Sequence, residues 1–513
     1  MSRRDLRVPL SRREFLHLAM TTAAVAAAGP GFADPGLPDW PFTLGVASGD
    51  PLADRVVLWT RLAPDPIAPD GAGGMPAERI RVGWEVADDE GFRSIVRTGR
   101  AIADPQLAHS VHVDVKGLAS DRWYFYRFHA GSHVSPVGRT RTFPRRNEAP
   151  AVARFAAASC QNYPEGYYTA HAAIAQEDLD FVTFLGDYIY ESGATGPVRS
   201  HQSGRIEDLA GYRQRYGLYK GDADLQAAHA ICPWLVTWDD HEVANNYAGA
   251  IFAEGATPPL LPFPELRAAA YQAWYEHQPV RLRRPKGSRY PIYRRFDYGD
   301  LARLFVLDTR QSRTNQECGD ELVAPCEGFP DPRGDLLGRQ QEKWLFGGLR
   351  QSSARWNVLA QQIVFSPTPI LGLLNFDQWD GYPVARQRVI DFLQEAAIRN
   401  PVVLTGDIHA AGAGWVPADT VNLTTPVASE FVATGISSDF PADLAALAES
   451  LIGGLPHVDY FEARTRGYAR HEVTAGQWRT DFRFVSTVTE PTATVSTGAS
   501  FVVEDGNPQP QPA

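Results

Sequence analysis

The sequence has only four cysteines in 513 residues, too few for a fold held by a disulfide framework. It has no surplus of positive charge: 49 Lys and Arg stand against 60 Asp and Glu, for a formal net charge of −11. That balance argues against a protein that coats a nucleic-acid backbone, which needs a positive face to displace counterions. It leaves phosphate chemistry open, because bound cations invert the local field inside an acidic protein. No transmembrane segment is expected in the mature chain, and no internal repeat stands out.

What is present is a globular composition: 44% hydrophobic, 21% charged and 11% aromatic residues, with 12 Trp to bury. At this length one core does not suffice, and two folded domains are expected. The chain carries Ser11-Arg12-Arg13-Glu14-Phe15-Leu16, a twin-arginine export motif. An apolar stretch over 18–28 follows, and Gly31-Phe32-Ala33 offers small residues for cleavage after Ala33. The stretch is too short and too rich in Ala to span a bilayer. Loss of residues 1–33, with five Arg against Asp5 and Glu14, takes the net charge from −11 to about −14. The twin-arginine export machinery moves folded proteins, often with cofactors loaded. The leader therefore points to a metal site and a periplasmic or extracellular destination.

Residues 34–145 read as an N-terminal all-β module. Runs at 55–60, 81–86, 111–115 and 121–128 lie between turn signals. They resemble a fibronectin-like sandwich of roughly a hundred residues, with Tyr124 placed for a tyrosine corner. No cluster of catalytic groups falls in it, so a packing or positioning role is expected. A polar linker from Arg145 to Pro150 leads into a catalytic region over 150–500. There, apolar strands at 152–159, 180–185, 234–238, 302–307 and 402–405 alternate with helical stretches at 167–176, 265–276 and 386–398. That is the pattern of a layered α/β fold. In such folds chemistry gathers beyond the carboxyl ends of the strands. Four of these strands run into acidic residues: Asp187, Asp239 with Asp240, Asp308, and Asp407. Residues 501–513 end in a Pro- and Gln-rich stretch and are expected to form a disordered tail.

The strand ends carry the chemistry. In Gly186-Asp187-Tyr188-Ile189-Tyr190-Glu191, Gly186 permits a sharp turn and Asp187 presents a carboxylate suited to bridging two cations. Tyr190 can fold back to the same centre, and a phenolate favours a hard ferric ion over zinc. Asp240 in Trp238-Asp239-Asp240-His241-Glu242 is a candidate metal ligand. His241 is placed to contact a phosphate or to protonate a leaving oxygen. In Gly406-Asp407-Ile408-His409, an extended segment would aim Asp407 and His409 at one metal. Arg310 offers a guanidinium fork for phosphate oxygens. Asp308 either orients it at the substrate or binds metal. Cys160, in Ser159-Cys160-Gln161, closes a strand and is a candidate iron ligand as thiolate. Cys318 and Cys326 bracket a Gly- and Pro-containing loop and are placed to pair once exported; Cys232 reads as a buried small hydrophobe. Each motif alone has a plainer reading as a turn, a helix cap or a core thiol. Their joint placement at strand ends is what points to a metal centre.

Taken in order, Ser-Cys-Gln, Gly-Asp-Tyr-Ile-Tyr-Glu, Trp-Asp-Asp-His-Glu, Asp-Thr-Arg-Gln and Gly-Asp-Ile-His resemble the alkaline phosphatase D (PhoD) family of metallophosphoesterases. The resemblance covers essentially the whole chain. It implies an α/β/β/α sandwich preceded by a small β domain, and a centre of one ferric ion (Fe3+) with two calcium ions (Ca2+). It matches Cys160, Asp187 and Tyr190 to iron-binding positions, and Asp240, Asp407 and His409 to other metal positions. The motifs are also similar to those of purple acid phosphatases, in which Asn stands at the position of Asp240; the added charge suits calcium.

The expected activity is hydrolysis of phosphate-ester substrates by metal-activated water. Arg310 would stabilise the transferring group and His241 would assist the leaving group. A phosphodiesterase or phospholipase of the same fold is the alternative, because substrate choice lies in the surrounding loops. A secreted binding protein on a degenerate scaffold would require lost ligand positions, and none is missing.

Overall fold

Short apolar strands, buried on both faces, form the centre of two large sheets. They are seen in a computed structural model that describes residues 36–513 except 38 and 254–256. The twin-arginine motif, the apolar stretch after it and the cleavage site lie outside the described residues. In the first sheet, Ala153–Ala158, Phe181–Leu185 and Trp234–Thr237 run parallel side by side. Antiparallel strands Gly467–Val473, Gln477–Val485 and Val495–Glu504 extend it on one side. The second sheet orders Arg294–Tyr298, Ala302–Val306, Trp356–Ala360, Pro401–Thr405, Thr424–Val432, Ala411–Asp419 and Val458–Glu462. Full burial of the central strands explains why they read as continuous apolar runs rather than as alternation.

Successive side chains point to opposite faces, so each strand feeds two cores. Between the sheets, Phe155, Phe181 and Leu235 meet Leu304, Val358, Val402 and Phe431. Phe155 stacks on Phe181 at 4.5 Å between centroids. Truncating such a ring to Ala costs about 3–5 kcal/mol. On the outer face of the first sheet, Phe184, Trp234 and Val236 pack against helices that include Leu209–Lys220, Ala223–Ile231 and Phe263–His277. On the outer face of the second, Phe305, Leu359 and Val403 pack under Gly338–Arg350 and Pro383–Glu395. The layers are thus helices, sheet, sheet, helices.

The N-terminal module is two-layered, but it is not separate. Ile80–Ala87, Ile95–Ala103, Trp123–Ala130, His133–Val134 and Gly138–Arg141 form its own sheet. This packs on Val46–Leu52, Arg55–Arg61 and Ser110–Lys116 through Val56, Leu58, Val82, Val113, Tyr126 and Phe128. Those last three strands belong to the ten-stranded sheet, joined where Gly49 pairs with Trp234 in parallel. The boundary near 145 therefore divides the sequence but not the first sheet. The Tyr124 hydroxyl accepts the Ala119 N–H at 2.9 Å, a local bond back to the preceding backbone.

The expectation of a disordered tail over 501–513 is overturned. Phe501 lies opposite Thr480 within the strand Val495–Glu504, and Gln511–Pro512 pairs back onto that strand. Pro is tolerated there because this is the sheet edge. The Asp505 carboxylate accepts from Arg355, Arg399 and Asn400 and anchors the segment.

Candidate metal centre

The carboxyl ends of the central strands converge through unusual turns. Gly186 has φ of 108°, and a Cβ there would lie 2.5 Å from the Asp239 Cβ, so no other residue lets these strand ends approach. Cys160, Asp187, Asp407 and His409 adopt left-handed φ values of 56°, 57°, 67° and 57°. Each such non-glycine conformation costs about 1–3 kcal/mol and tends to persist where a site requires it. Glu242 ties two strand ends together. Its Oε2 accepts the N–H groups of Asp187 at 3.0 Å and Asp239 at 2.8 Å, and its Oε1 accepts that of Tyr188 at 2.7 Å.

Three contiguous groups of potential ligands result. Cys160, Asp187 and His409 form one; Asp187, Asp240 and His241 a second; Asp239, Asp240 and Asp407 a third. Donor atoms within each lie no more than 4.8 Å apart. Tyr190 joins the first group: its hydroxyl donates to Asp187 Oδ2 at 2.9 Å and lies 3.1 Å from His409 Nε2 and 2.8 Å from Ser438 Oγ. His409 Nδ1 donates to the Asp439 carbonyl at 2.8 Å, which leaves Nε2 free for the group. Burial lowers His409 to about 4, so the ring is the neutral form that binds metal.

The site is electrostatically incomplete. Asp187 Oδ1, Asp239 Oδ2 and Asp240 Oδ1 are buried without a hydrogen-bond partner. Burial pushes the carboxyls of Asp187 and Asp239 well up and lifts Asp407 to about 6. At Asp240 burial opposes ionisation, but the charges of Arg310 and His241 hold the carboxyl below the usual range. Burial also pushes up the Cys160 thiol and the Tyr190 phenol, so a cation is needed to ionise either at neutral pH.

Cys160, Asp187, Tyr190, Asp240, His241, Asp407 and His409 are all brought to this crevice, but three expectations change. Asp407 and His409 do not share a group, because the turn is left-handed rather than extended: His409 faces Cys160, and Asp407 faces Asp239. Arg310 does not offer a free fork to substrate. It is fully buried, its Nε donates to Asp239 at 2.5 Å and its Nη1 to Asp377 at 2.7 Å. Only Nη2 is unpaired, 3.5 Å from Asp240 and 3.6 Å from Asp407. A guanidinium among so many carboxylates is taken by them. Asp308 does not orient the Arg310 guanidinium: its carboxylate accepts from Trp238 Nε1, the N–H groups of Arg310 and Gln311, and Gln311 Nε2.

Other functional residues went unmarked in the sequence. Asp239 shows in the sequence only as the first of a doubled acid beside Asp240. Asp377 receives Arg310, Arg313 and Gln316, and Gln378 Nε2 donates to Asp407 at 2.6 Å. Both sit in a segment without apolar periodicity, so nothing marked them. Cys318 and Cys326 are joined as a disulfide, while Cys160 and Cys232 are free and buried.

Fold and site define the class: a layered α/β protein with groups able to hold metal ions gathered at its strand ends. Comparison with known proteins makes the assignment specific. The family model for PhoD-like phosphatase matches residues 155–482, and that for its N-terminal domain matches 28–144. Alkaline phosphatase D of Bacillus subtilis (strain 168) is 48% identical over 502 residues, spanning 95% of this chain and 85% of the relative. A solved structure of PhoD superposes with a TM-score of 0.88 at 47% identity, over 93% of each chain. The chain belongs to the PhoD-like phosphatase family.

Proposed function

We propose that this chain is an exported, metal-dependent alkaline phosphatase that hydrolyses phosphate monoesters and, with the same centre, phosphodiesters. The observation that carries the metal dependence is the set of orphaned oxygens on Asp187, Asp239 and Asp240 within contiguous ligand groups. A buried carboxylate oxygen left unpaired is costly, and a cation offsets that cost. The donor chemistry fits the ions the family resemblance implies. The thiol of Cys160, the phenol of Tyr190, Asp187 and the His409 imidazole suit a ferric ion, and the all-oxygen set of Asp239, Asp240 and Asp407 suits calcium. We read the four layers as a metallophosphoesterase sandwich. The N-terminal unit we read as fibronectin-like, on the support of its two-sheet packing and the Tyr124 bond. The twin-arginine motif supports export.

When bound, the ions supply neutralisation of the phosphate and Lewis acidity towards it and towards water. The chain's own groups hold the frame. Glu242 fixes the two strand ends, the Asn246 N–H holds Asp240 Oδ2 at 2.7 Å, and Arg310 balances the charge of Asp239, Asp240 and Asp407. His241 is the group placed to give a proton to the leaving oxygen. The test is metal analysis of enzyme exported from its native host, followed by dialysis against EGTA. Hydrolysis of p-nitrophenyl phosphate and of bis-p-nitrophenyl phosphate should both fall and return with calcium but not zinc. Full turnover of a protein shown to contain no metal would end this reading. Activity on the diester alone would move the assignment to a phosphodiesterase or phospholipase.

A further inference from the structure

Glu191 closes the Gly-Asp-Tyr-Ile-Tyr-Glu segment, and its carboxylate is committed to two N–H groups. Oε2 lies 2.7 Å from His241 Nδ1, and Oε1 accepts the Asn245 N–H at 2.9 Å. Glu191 and His241 side chains keep only 14% and 20% of their exposure, so the bond between them is largely shielded from bulk water. The His241 ring is stacked on Tyr190, with centroids 4.1 Å apart and planes at 29°. That stack sets the ring plane, and the Glu191 contact sets which edge faces outward from the cluster.

We propose that Glu191 is a positioning residue: it fixes His241 with a proton on Nδ1 and with Nε2 presented to the Asp187–Asp240 cluster. A carboxylate can do this because both its oxygens accept, matching the two N–H groups it meets. An amide cannot. Gln at this position has one acceptor and one NH2, and its NH2 must oppose either the Asn245 N–H or a protonated Nδ1. Relief comes by breaking one of the two bonds, which frees the ring and no longer holds Nε2 on the cluster. Asp keeps both acceptors on a stem one methylene shorter, so it restores the pattern at longer range. The inference rests on His241 serving the reacting phosphate as proposed above.

Glu191→Gln and Glu191→Asp, each in the full-length protein, test this in two arms. In the metal-free protein labelled with 15N-histidine, the His241 resonances are assigned by their loss in His241→Gln. Wild type should show an Nδ1–H held in a hydrogen bond and protected from exchange, Glu191→Gln should lose that protection, and Glu191→Asp should retain it. With the metal-loaded enzyme, Glu191→Gln should lower kcat at least about tenfold with KM within about twofold, and Glu191→Asp should recover most of that loss. Melting temperature and metal content should stay at the wild-type values. An unchanged Nδ1 signal in Glu191→Gln overturns the proposal, as does wild-type kcat, or a kcat loss that comes with lost metal or lowered melting temperature. The labelled-histidine arm needs no turnover, so it decides the Glu191–His241 contact even if the phosphatase reading fails.

Discussion

Replacing Arg310 by Lys isolates what the buried guanidinium contributes, because charge is kept while the planar fork is lost. In the structure Nε serves Asp239 and Nη1 serves Asp377. An ammonium ends near the position of Nε and has no arm to reach the second carboxylate. One charge-assisted hydrogen bond is therefore lost, about 1.5–3 kcal/mol. Taking about 2 kcal/mol, and an unfolding entropy of about 2.1 cal/mol/K per residue, or about 1.1 kcal/mol/K for a chain of this length, the metal-free protein should melt about 2 °C lower. Arg310→Met removes the charge altogether and should cost about 3–5 kcal/mol, the usual price of breaking a buried pair. Because Nη2 also faces Asp240 and Asp407, their placement should suffer too. We expect kcat/KM of Arg310→Lys to fall at least about tenfold, or about 1.4 kcal/mol. Thermal melts of metal-free protein and steady-state kinetics of loaded enzyme check the two parts. Wild-type melting and wild-type kcat/KM together would refute the reasoning, and lowered melting with unchanged kcat/KM would reduce Arg310 to a brace.

Tyr190→Phe deletes only the hydroxyl that meets Asp187, His409 and Ser438. It should lower iron content and turnover by at least tenfold, and full iron with unchanged turnover would exclude Tyr190 as a ligand; elemental analysis and kinetics decide. Cys326→Ser opens the disulfide that closes a loop with a sequence separation of 8, for which chain entropy gives about 2.5 kcal/mol. Denaturant melts should detect it, and a shift below a few tenths of a kcal/mol would show that the loop is held by its other contacts. His112, stacked on Tyr275 and bonded to the Gln278 carbonyl, is lowered by burial from 6.5 to about 4. The unfolded chain therefore binds more protons between those values, so stability should be greatest above pH 6.5 and fall as pH drops towards 4. Melts of His112→Gln should show a shallower acid slope, and an unchanged slope would mean that His112 titrates normally in the fold.

Strand ends were legible in the sequence because burial on both faces leaves a continuous apolar run that a polar residue must terminate. The runs read at 180–185, 234–238, 302–307 and 402–405 lie on Phe181–Leu185, Trp234–Thr237, Ala302–Val306 and Pro401–Thr405. Pairing partners were not legible. Nothing in the pattern near Gly49 says that it meets Trp234, so the sequence shows an all-β module but not the sheet it shares. The tail misled because composition reports the cost of ordering a segment, not an anchor such as Asp505 reaching Arg355 and Arg399. Arg310 stands out in the sequence as a strand-end guanidinium, but its partner Asp377 lies 67 residues away in a stretch without period.

The carboxylates of the crevice can be sorted by what already holds them, and the sorting separates frame from ligand. Glu242 is satisfied by three backbone N–H groups, Asp308 by its own turn, and Glu191 by His241 and Asn245. Asp377 accepts Arg310, Arg313 and Gln316 on Oδ1. Glu242, Asp308 and Glu191 have both carboxylate oxygens engaged by the chain's own donors. Asp187, Asp239 and Asp240 each keep a buried oxygen with no hydrogen-bond partner, and Asp407 meets the guanidinium only at 3.6 Å. Arg310 cannot neutralise all of them, because two of its three nitrogens are already committed. The carboxyls left for a cation to hold are Asp187, Asp239, Asp240 and Asp407, all of which lie in the three contiguous ligand groups. The first of these groups adds the thiol and the imidazole, and the third is oxygen alone. A soft-edged end and an all-oxygen end within one crevice are what two different kinds of cation require.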